Sequence, residues 1–379
     1  MIEIWYFCQK KSSMFQEKDF IAPFSYEVEK ASFAWEAPSN IALVKYWGKK
    51  EGQIPANPSI SFTLSSCKTI TKIDVERLAS FLDSKTTFSF EFIFEGNPKP
   101  DFHPKINQFF ERIVTYCPFL KAYHFVITSE NTFPHSSGIA SSASGMAALA
   151  LNIMSLERAL NPQITDDYFY SKASFLARLG SGSACRSIKG EVVVWGENYD
   201  FSNGSNLFGI PFNEIHTVFK NYQDTILLVD KGEKQVSSSV GHNLMHEHPF
   251  SNERFKQAKQ NLDRMKTILK NGNLDQFIAL VESEALTLHA MMMTSMPYFI
   301  LMKPNTLEII NAIWKFRNET KIPICFTLDA GANVHVLYPE NVKVKVLKFI
   351  SENLVDYCQN KQYICDQIGS GSKMLIKQN

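Results

Sequence analysis

The sequence predicts an α+β protein of two domains, and three observations support that prediction. The chain has 379 residues, which at roughly 150 residues per domain allows two or three domains with a sizeable core. Predicted strands and helices follow one another without regular alternation, which disfavours a doubly wound parallel sheet. A stretch rich in Asn, Ser and Gly spans residues 198–211, so we expect the domain boundary near residue 212.

In the N-terminal half, apolar residues alternate or cluster in four segments and recur at helical spacing in three more. The predicted strands are 59–64, 86–94, 123–128 and 191–195. The predicted helices are 105–117, 139–160 and 166–179. Thr165 is the expected N-cap of the third helix and Gly180 its C-cap.

The C-terminal half repeats the mixture of strands and helices. Its predicted strands are 225–230, 323–328 and 334–338, and its predicted helices are 251–271, 274–292, 305–319 and 341–353. The predicted organisation is an N-terminal extension at 1–30, an N-terminal domain at 31–212 and a C-terminal domain at 213–379. We interpret the extension as a loosely attached arm, and translation starting at Met14 is the alternative.

Composition excludes several classes of protein. Lys and Arg total 39 and Asp and Glu 38, a net charge of +1, which provides no electrostatic argument for nucleic acid or a membrane surface. Seven cysteines without a CxxC pair argue against a disulfide framework or a zinc site and favour a reducing compartment. No apolar run is long enough to span a membrane, and the short apolar stretch at the N-terminus does not fit a secretion signal. We therefore expect a cytoplasmic protein.

The first chemically informative segment is Pro134–Gly145, which lies between a predicted strand and an Ala-rich helix. Its small residues and serines allow a backbone to approach an anion closely, and the first turn of the helix offers free N–H groups. Ser141 or Ser142 could add a hydroxyl to a phosphate or its magnesium ion. No Gly-Lys-Ser/Thr follows, so this is not a P-loop. A tight helix-packing surface or an ordinary N-cap is the alternative.

Two other glycine-rich segments differ in context. Gly180–Arg186 combines glycines, hydroxyls and one Arg, a composition suited to clamping a polyanion; the alternative is a helix C-cap with a surface Arg. Gly369–Lys373 has no following helix, and we interpret it as a terminal loop.

Four further features carry charged, hydroxyl or imidazole side chains. Lys45 lies within an apolar run, so it either has an anion partner or is an exposed edge Lys. Asp329 ends an apolar strand before Ala330-Gly331 and could equally be a turn former. Residues 234–239 place hydroxyls where a helix could begin, although a plain Ser N-cap explains them. His289 ends a helix and is expected in the core.

Together these segments resemble a known family. The run Asn40–Lys49, the loop Gly138–Gly145, the segment Gly180–Arg186 and the run Leu328–Asn333 occur in the order seen in diphosphomevalonate decarboxylases. The resemblance covers about residues 30–372. One departure is Pro134-His135-Ser136-Ser137-Gly138, where the family usually has Pro-Thr-Ala-Ala-Gly, and this could alter nucleotide contacts.

The resemblance implies a two-domain, GHMP-kinase-like α+β fold. The N-terminal domain would resemble domain 2 of ribosomal protein S5, the C-terminal domain would be ferredoxin-like, and the active site would lie in the interdomain cleft. It implies ATP as co-substrate, Mg²⁺, mevalonate 5-diphosphate as the small-molecule substrate, and a homodimer. The reaction would yield isopentenyl diphosphate, CO₂, ADP and phosphate through 3-O-phosphorylation.

The resemblance also assigns roles to individual residues. Catalysis maps onto Asp329, Lys45 and Arg186. Substrate binding maps onto Tyr46, Trp47, Gly48, Lys49, Ser181, Gly182, Ser183, Ala184, Cys185, Arg186, Ser238 and Ser239. ATP binding maps onto Pro134, Ser137, Gly138, Ala140, Ser141, Ser142, Ala143, Ser144 and Lys234, with Mg²⁺ near Ser142.

Other functions stay open within and outside the enzyme class. A relative could phosphorylate the 3-hydroxyl without decarboxylation or could use the monophosphate; Asp329 favours decarboxylation. An ATP-binding regulator without turnover is the non-enzyme alternative, and the joint presence of Lys45, Arg186 and Asp329 argues against it.

Overall fold

The computed structural model describes residues 15–23, 28–82, 88–134, 139–197, 204–231 and 238–378. Within these residues the strands form a sheet of eight and a sheet of four. The strands of the first sheet are β1 (Lys30–Val44), β2 (Ser59–Arg77), β3 (Ser89–Phe94), β4 (Asn97–Pro98), β5 (Tyr123–Asn131), β6 (Val192–Trp195), β7 (Ile210–Pro211) and, from the end of the chain, β12 (Lys373–Gln378). Those of the second sheet are β8 (Gln223–Leu227), β9 (Cys325–Thr327), β10 (Val334–Tyr338) and β11 (Tyr363–Gln367).

The helices pack on these sheets and follow the predicted pattern closely. They are α1 (His103–Ile113), α2 (Ser141–Leu160), α3 (Asp166–Gly180), α4 (Ser238–Asn243), α5 (Ser251–Asn271), α6 (Leu274–Met293), α7 (Pro304–Thr320) and α8 (Lys343–Phe349). Thr165 caps α3 by accepting from the Tyr168 amide, as predicted. Gly180 is wrong as a C-cap: it is the last helical residue, and Ser181 follows it in an extended conformation.

Strand order shows that the first and the last of the described strands share one sheet. The first sheet runs β12-β1-β2-β5-β3-β4, with β6 beside β2 and β7 beside β6. All of its pairs are antiparallel except β3 with β5. The second sheet runs β11-β8-β10-β9 and is antiparallel throughout.

The strands β1, β4, β7, β11 and β12 are absent from the predicted set, and only the start of β2 is in it. The end of β1 is buried on both faces, so it lacks the alternation by which a half-buried strand is recognised. Residues 369–372 form a loop as predicted, but the loop is not terminal, because β12 begins at Lys373. The Gly369 amide donates to Thr63 O at 2.7 Å. A Cβ at Gly369 would lie 2.4 Å from Leu64 O, so this segment packs closely against β2 before β12 begins.

The described part of the N-terminal extension is packed, not loose. Phe20 is 0% exposed, and its ring centroid lies 4.8 Å from that of Phe175 on α3. The Ala22 amide donates to Tyr116 O at 3.0 Å. Residues 15–23 therefore belong to the core of the N-terminal half, whereas Met14, the alternative start, lies outside the described residues.

A shared apolar core joins the two sheets. Phe62 of β2 stacks at 6.1 Å on Phe277 of α6, and the same cluster includes Ile41 of β1 and Leu262 of α5. The end of β1 is thus held by helices that follow the predicted boundary near residue 212. None of the described helices is long and apolar enough to cross a membrane.

Candidate active site

Lys45 and Asp329 meet where the end of β1 approaches the loop after β9. Lys45 Nζ lies 3.0 Å from Asp329 Oδ1, and the Lys45 side chain is 2% exposed. Burial lowers the pKa of Lys45, and the carboxylate of Asp329 beside it opposes that effect. The pair confirms the expectation that a Lys within an apolar run has an anion partner.

The main chain at Asp329 is held independently of its carboxylate. Asp329 O accepts from the Gly331 amide at 2.8 Å and from His289 Nε2 at 3.2 Å. His289 is 1% exposed, which confirms its prediction as a core residue. These hydrogen bonds fix the backbone from which the Asp329 side chain extends. That side chain is 32% exposed, so part of it faces solvent.

Two helices of the C-terminal half hold the backbone of Lys45. The Lys45 amide donates to Glu284 of α6 at 2.9 Å, and Arg254 of α5 donates to Lys45 O at 3.2 Å. Arg254 and Glu284 also form a bidentate pair, at 2.5 and 2.9 Å, with side chains only 1% and 0% exposed. A buried pair of this kind is costly to break, so it fixes the point from which the Lys45 ammonium reaches Asp329.

Arg186 presents a buried guanidinium to the same region. Its Nε donates to Ser61 Oγ at 2.6 Å and one terminal nitrogen donates to Ser59 Oγ at 2.8 Å. The residue is 2% exposed, and no carboxylate of the described residues lies within ion-pair range of it. Burial lowers the pKa of Arg186, and Asp329 is near enough to act against that effect. A buried guanidinium with only neutral partners is a site for an anion.

The turn after Lys45 is shaped by α4. The Gly48 amide donates to His242 Nδ1 at 3.0 Å, and Gly48 has φ +94°, a conformation that favours glycine. Burial, with smaller effects from Lys49 and Arg186, lowers the pKa of His242 to about 3. The imidazole is therefore neutral and able to accept the Gly48 hydrogen bond.

Tyr46 and Trp47 pack into the site on either side of that turn. The Tyr46 ring lies 4.7 Å from Trp195, and its hydroxyl is buried without a hydrogen-bond partner among the described residues. A Cβ at Gly182 would lie 2.8 Å from that hydroxyl, which explains the glycine. Trp47 packs equally closely against Gly241, since a Cβ at Gly241 would lie 2.4 Å from the indole.

The second glycine-rich segment folds into a tight helical turn, Gly182–Ser187, which carries Arg186. The segment includes Ser181, Gly182, Ser183, Ala184 and Cys185. Burial raises the pKa of the Cys185 thiol to about 12, so it remains protonated and donates to Gly182 O at 3.1 Å. Ser142 Oγ lies 3.5 Å from Ser181 Oγ, which brings the start of α2 next to this turn.

The serine loop enters α2 through a strained residue. Ala140 adopts φ +42°, a left-handed conformation that non-glycine residues rarely take except where function or packing requires it. Ser141 and Ser142 follow half-buried and are among the residues that line a cavity of about 90 Å³. Ser144 differs: it is fully buried and its hydroxyl lies 2.6 Å from Thr69 Oγ1, so its predicted contact with ATP would compete with an existing hydrogen bond.

Some predicted site residues cannot be placed. Ser137, Gly138 and Lys234 lie outside the described residues, as do the side chains of Ser238 and Ser239, whose backbone begins α4. Pro134 is exposed before the loop, and Ala143 is buried in the first turn of α2. The substrate and nucleotide assignments of all these residues stay predictions.

Sequence reasoning missed the residues that hold the site together. Glu284 gave a usable signal, because a carboxylate surrounded by Leu280, Val281, Ala285 and Leu288 on one helical face is expected to be paired. Arg254, Ser59 and Ser61 gave none, since each looks ordinary in its own segment. Their roles arise only from contacts between elements distant in the sequence.

Two family models match most of the chain. A diphosphomevalonate decarboxylase-like N-terminal domain matches residues 37–206, and a mevalonate 5-diphosphate decarboxylase C-terminal domain matches residues 225–377. The chain belongs to the diphosphomevalonate decarboxylase family. A diphosphomevalonate decarboxylase of Debaryomyces hansenii is 30% identical over 83% of this chain and 81% of the relative. That of Saccharomyces cerevisiae is also 30% identical, over 83% of this chain and 79% of the relative.

Solved decarboxylase structures share the fold. A mevalonate diphosphate decarboxylase from Staphylococcus aureus has a TM-score of 0.76 at 27% identity and covers 92% of this chain and 98% of its own. A structure of MDDEF in complex with MVAPP, AMPPCP and magnesium also has a TM-score of 0.76 at 27% identity, covering 91% and 99%. These matches confirm the predicted α+β, GHMP-kinase-like fold.

Proposed function

We propose that this chain catalyses the ATP-dependent decarboxylation of (R)-5-diphosphomevalonate to isopentenyl diphosphate, CO₂, ADP and phosphate. Membership of the decarboxylase family supports the reaction class. The observation that carries the proposal is the Lys45–Asp329 pair at 3.0 Å, close to the buried Arg186. It combines a carboxylate able to take a proton with a cation able to hold an anionic substrate.

We place the substrate between these groups, in a cleft between the two domains predicted to divide near residue 212. Asp329 would face the 3-hydroxyl, and Arg186 would hold the substrate carboxylate and diphosphate in register. Tyr46, Lys49 and the segment Ser181–Cys185 would line the rest of the substrate. Ser238 and Ser239 are proposed as further contacts.

ATP would bind with its phosphates on Pro134–Ser144. The start of α2 supplies N–H groups and a favourable dipole, and the hydroxyls of Ser141 and Ser142 lie at its first turn. The adjoining cavity is lined by Phe92, Phe94 and Phe102 together with Thr and Ser hydroxyls, a lining able to take an aromatic base. Lys234 would approach ATP from its own segment.

Mg²⁺ fits this site as a partner of the ATP phosphates. The described residues contain no group of three or more His, Cys, Asp or Glu side chains placed to hold a metal by themselves. Mg²⁺ prefers oxygen ligands and is commonly bound through substrate phosphates, waters and few protein groups. The hydroxyl of Ser142 would be the protein ligand, and the ion would neutralise phosphate charge.

The chemistry then follows from residue types. Asp329 accepts the proton of the tertiary 3-hydroxyl as that oxygen takes the γ-phosphoryl group of ATP, releasing ADP. The C3–O bond breaks with its electron pair on phosphate, leaving positive character at C3. The electrons of the C1–C2 bond form the C2–C3 double bond, and CO₂ leaves. Asp329, whose side chain is 32% exposed, passes the proton on to solvent, and its restored negative charge stabilises the developing positive charge.

The deciding experiment is a product balance. Purified protein with ATP, Mg²⁺ and mevalonate 5-diphosphate is expected to release ADP, phosphate and CO₂ in equal amounts. ADP without CO₂ would instead indicate a 3-kinase, and faster turnover of the 5-phosphate would indicate a phosphomevalonate decarboxylase. Absence of turnover with retained ATP binding would indicate a regulator.

We also propose a cytoplasmic homodimer. The described cysteines Cys67, Cys117, Cys185, Cys325, Cys358 and Cys365 are free thiols, all but Cys365 buried, in keeping with a reducing compartment. Sedimentation measurements over a range of protein concentrations test the dimer.

A further inference from the structure

A buried histidine joins the segments that are proposed to contact the substrate. His242 lies on α4 and is 8% exposed. It contacts the turn at 46–49, and Tyr46 of that turn packs against Gly182. The imidazole therefore lies at the junction of α4, this turn and the second glycine-rich segment, although the proposed reaction gives it no role.

Two side chains hold the amides of the turn. The Trp47 amide donates to Asn57 Oδ1 at 3.3 Å, and the Gly48 amide donates to His242 Nδ1 at 3.0 Å. Asn57 also donates to Lys45 O at 2.9 Å and follows the turn closely in the sequence. His242 comes from the C-terminal half, beyond the predicted boundary near residue 212. Its imidazole thus ties Gly48 to the other half of the chain.

The imidazole ring also packs on the aromatic side chains of the turn. Its centroid lies 4.2 Å from that of Tyr46, at 35°, and 4.9 Å from that of Trp47, at 39°. Tyr46 in addition contacts Trp195 at 4.7 Å. Ring contacts of this kind stabilise an arrangement beyond the area that they bury. The orientation of the Tyr46 ring therefore depends on His242.

Gly48 is a point at which the turn needs an external constraint. Its φ of +94° lies in a region that glycine enters freely, and glycine has many other conformations open to it. Its carbonyl accepts from the Ala56 amide at 3.1 Å, and a Cβ at Gly48 would lie 3.0 Å from the Phe255 ring. The hydrogen bond to His242 is the contact through which α4 selects one conformation of the turn.

The position of α4 depends on the same contacts. The helix has six residues, and a helix of this length is not stable without tertiary contacts. Val240 is 47% exposed, whereas Gly241 packs closely against Trp47 and His242 is buried. Docking of α4 and the conformation of the turn are therefore coupled.

The groups around His242 keep its imidazole in the accepting form. Burial, together with the charges of Lys49 and Arg186, lowers the pKa of His242 to about 3. Burial also raises the pKa of Tyr46, so the tyrosine beside the imidazole is uncharged. A neutral imidazole that accepts at Nδ1 carries its proton on Nε2. The acceptor for the Gly48 amide is thus available at neutral pH.

We propose that His242 is a positioning residue for the substrate: it holds the Gly48 amide through Nδ1 and the Tyr46 ring through its own ring, and so sets the turn at 46–49 when α4 docks. The inference rests on the proposed function, in which Tyr46 and Lys49 contact mevalonate 5-diphosphate. His242 acts through these two residues, and its removal should weaken substrate binding more than it slows the chemistry.

The kinetic test removes the acceptor and then restores it. His242→Leu has a similar volume but no acceptor, and we expect KM for mevalonate 5-diphosphate to rise about tenfold. kcat and KM for ATP should change less than twofold, because the turn contacts the substrate in the ground state and the transition state alike. His242→Asn places an oxygen near the position of Nδ1 and should return KM to within about threefold of the unaltered protein.

Two further variants control for loss of stability. His248 is also a buried imidazole that accepts a main-chain amide at Nδ1, that of Phe250 at 3.1 Å. His248→Leu should lower the melting temperature and leave KM for mevalonate 5-diphosphate unchanged. His242→Gln is polar and places its oxygen one methylene further out, so it should raise KM as His242→Leu does even if leucine is not tolerated. An unchanged KM in His242→Gln, or equal rises in His242→Leu and His248→Leu, would overturn the proposal.

Hydrogen exchange separates this proposal from the proposed function. In the full chain without ligands, the Gly48 amide should exchange at least about tenfold faster in His242→Gln than in the unaltered protein. It should remain protected in His242→Asn and in His248→Leu. These results are expected whether or not the protein turns over mevalonate 5-diphosphate. Unchanged protection in His242→Gln would reject the contact, and faster exchange with an unchanged KM would reject the positioning role in an active decarboxylase.

Discussion

The main-chain carbonyl of Asp329 accepts hydrogen bonds that hold the turn after β9. Asp329 O accepts from Gly331 and His289, so Asn at this position should preserve the turn. Asp329→Asn nevertheless removes the proton acceptor and the negative charge. We expect kcat to fall at least about 10³-fold with ATP and substrate binding near normal, measured by steady-state kinetics and calorimetry.

The same variant distinguishes a catalytic from a structural Asp. Near-normal turnover in Asp329→Asn would contradict the catalytic assignment. A melting temperature within a degree or two of the unaltered protein is the required control, because Lys45 loses its charged partner in the variant.

His242 makes folding stability depend on pH. Burial lowers its pKa to about 3, below the usual value near 6.5, so the unfolded chain binds a proton that the folded chain excludes. Stability is full above about pH 6.5 and falls as pH decreases toward 3. His242→Asn can retain an acceptor for the Gly48 amide without titrating. Between pH 7 and pH 5 we expect its unfolding free energy to fall about 2 kcal/mol less than that of the unaltered protein.

Urea unfolding at both pH values measures this difference. His289, whose pKa burial lowers to about 4, contributes in the same direction in both proteins and so does not affect the comparison. Parallel loss of stability in the two proteins would contradict the assignment to His242.

At the scale of elements, α5 and α6 position the end of β1 through a buried ion pair. Glu284→Gln leaves Arg254 buried and charged without its partner. Breaking such a pair costs about 3–5 kcal/mol, and we expect a loss of that size in urea unfolding. The double variant Glu284→Gln, Arg254→Met removes the uncompensated charge and should recover part of the loss. A single variant as stable as the unaltered protein would show that the pair does not hold Lys45.

The N-terminal segment divides into two parts with different expected effects. Deleting residues 1–13 should leave activity and melting temperature unchanged if translation starts at Met14. Phe20→Ala removes a fully buried ring and should cost about 3–5 kcal/mol. Thermal unfolding compares the deletion variant with Phe20→Ala. An unchanged melting temperature in Phe20→Ala would show that residues 15–23 are a loosely attached arm.

For the whole molecule, the shared core predicts joint unfolding. Phe62 and Ile41 of the first sheet pack with Phe277 and Leu262 of the helices on the second, and β12 returns the end of the chain to β1. We expect a single calorimetric transition whose van't Hoff and calorimetric enthalpies agree. Two resolved transitions would show that the two halves unfold independently.

Local sequence patterns determined most helices, the short alternating strands and the segments that carry chemistry. Helical periodicity and strand alternation reflect how one element meets one apolar environment, so neighbours in the sequence suffice to recognise them. The segments around Lys45, Gly180 and Asp329 were recognisable for a related reason: small residues and charges within apolar runs are locally unusual. The family resemblance was readable from the same segments.

Tertiary structure alone decided which distant residues complete the site. The sequence predicts that Lys45 has an anionic partner, because a buried Lys needs one. It does not identify Asp329 as that partner. Burial of β1 on both faces removed its alternation, and β12 acquires its partner from the opposite end of the chain. The Arg254–Glu284 pair exists because folding brings together two charges that lie far apart in the sequence and excludes water from them, and the free energy of such a contact depends on distance in space.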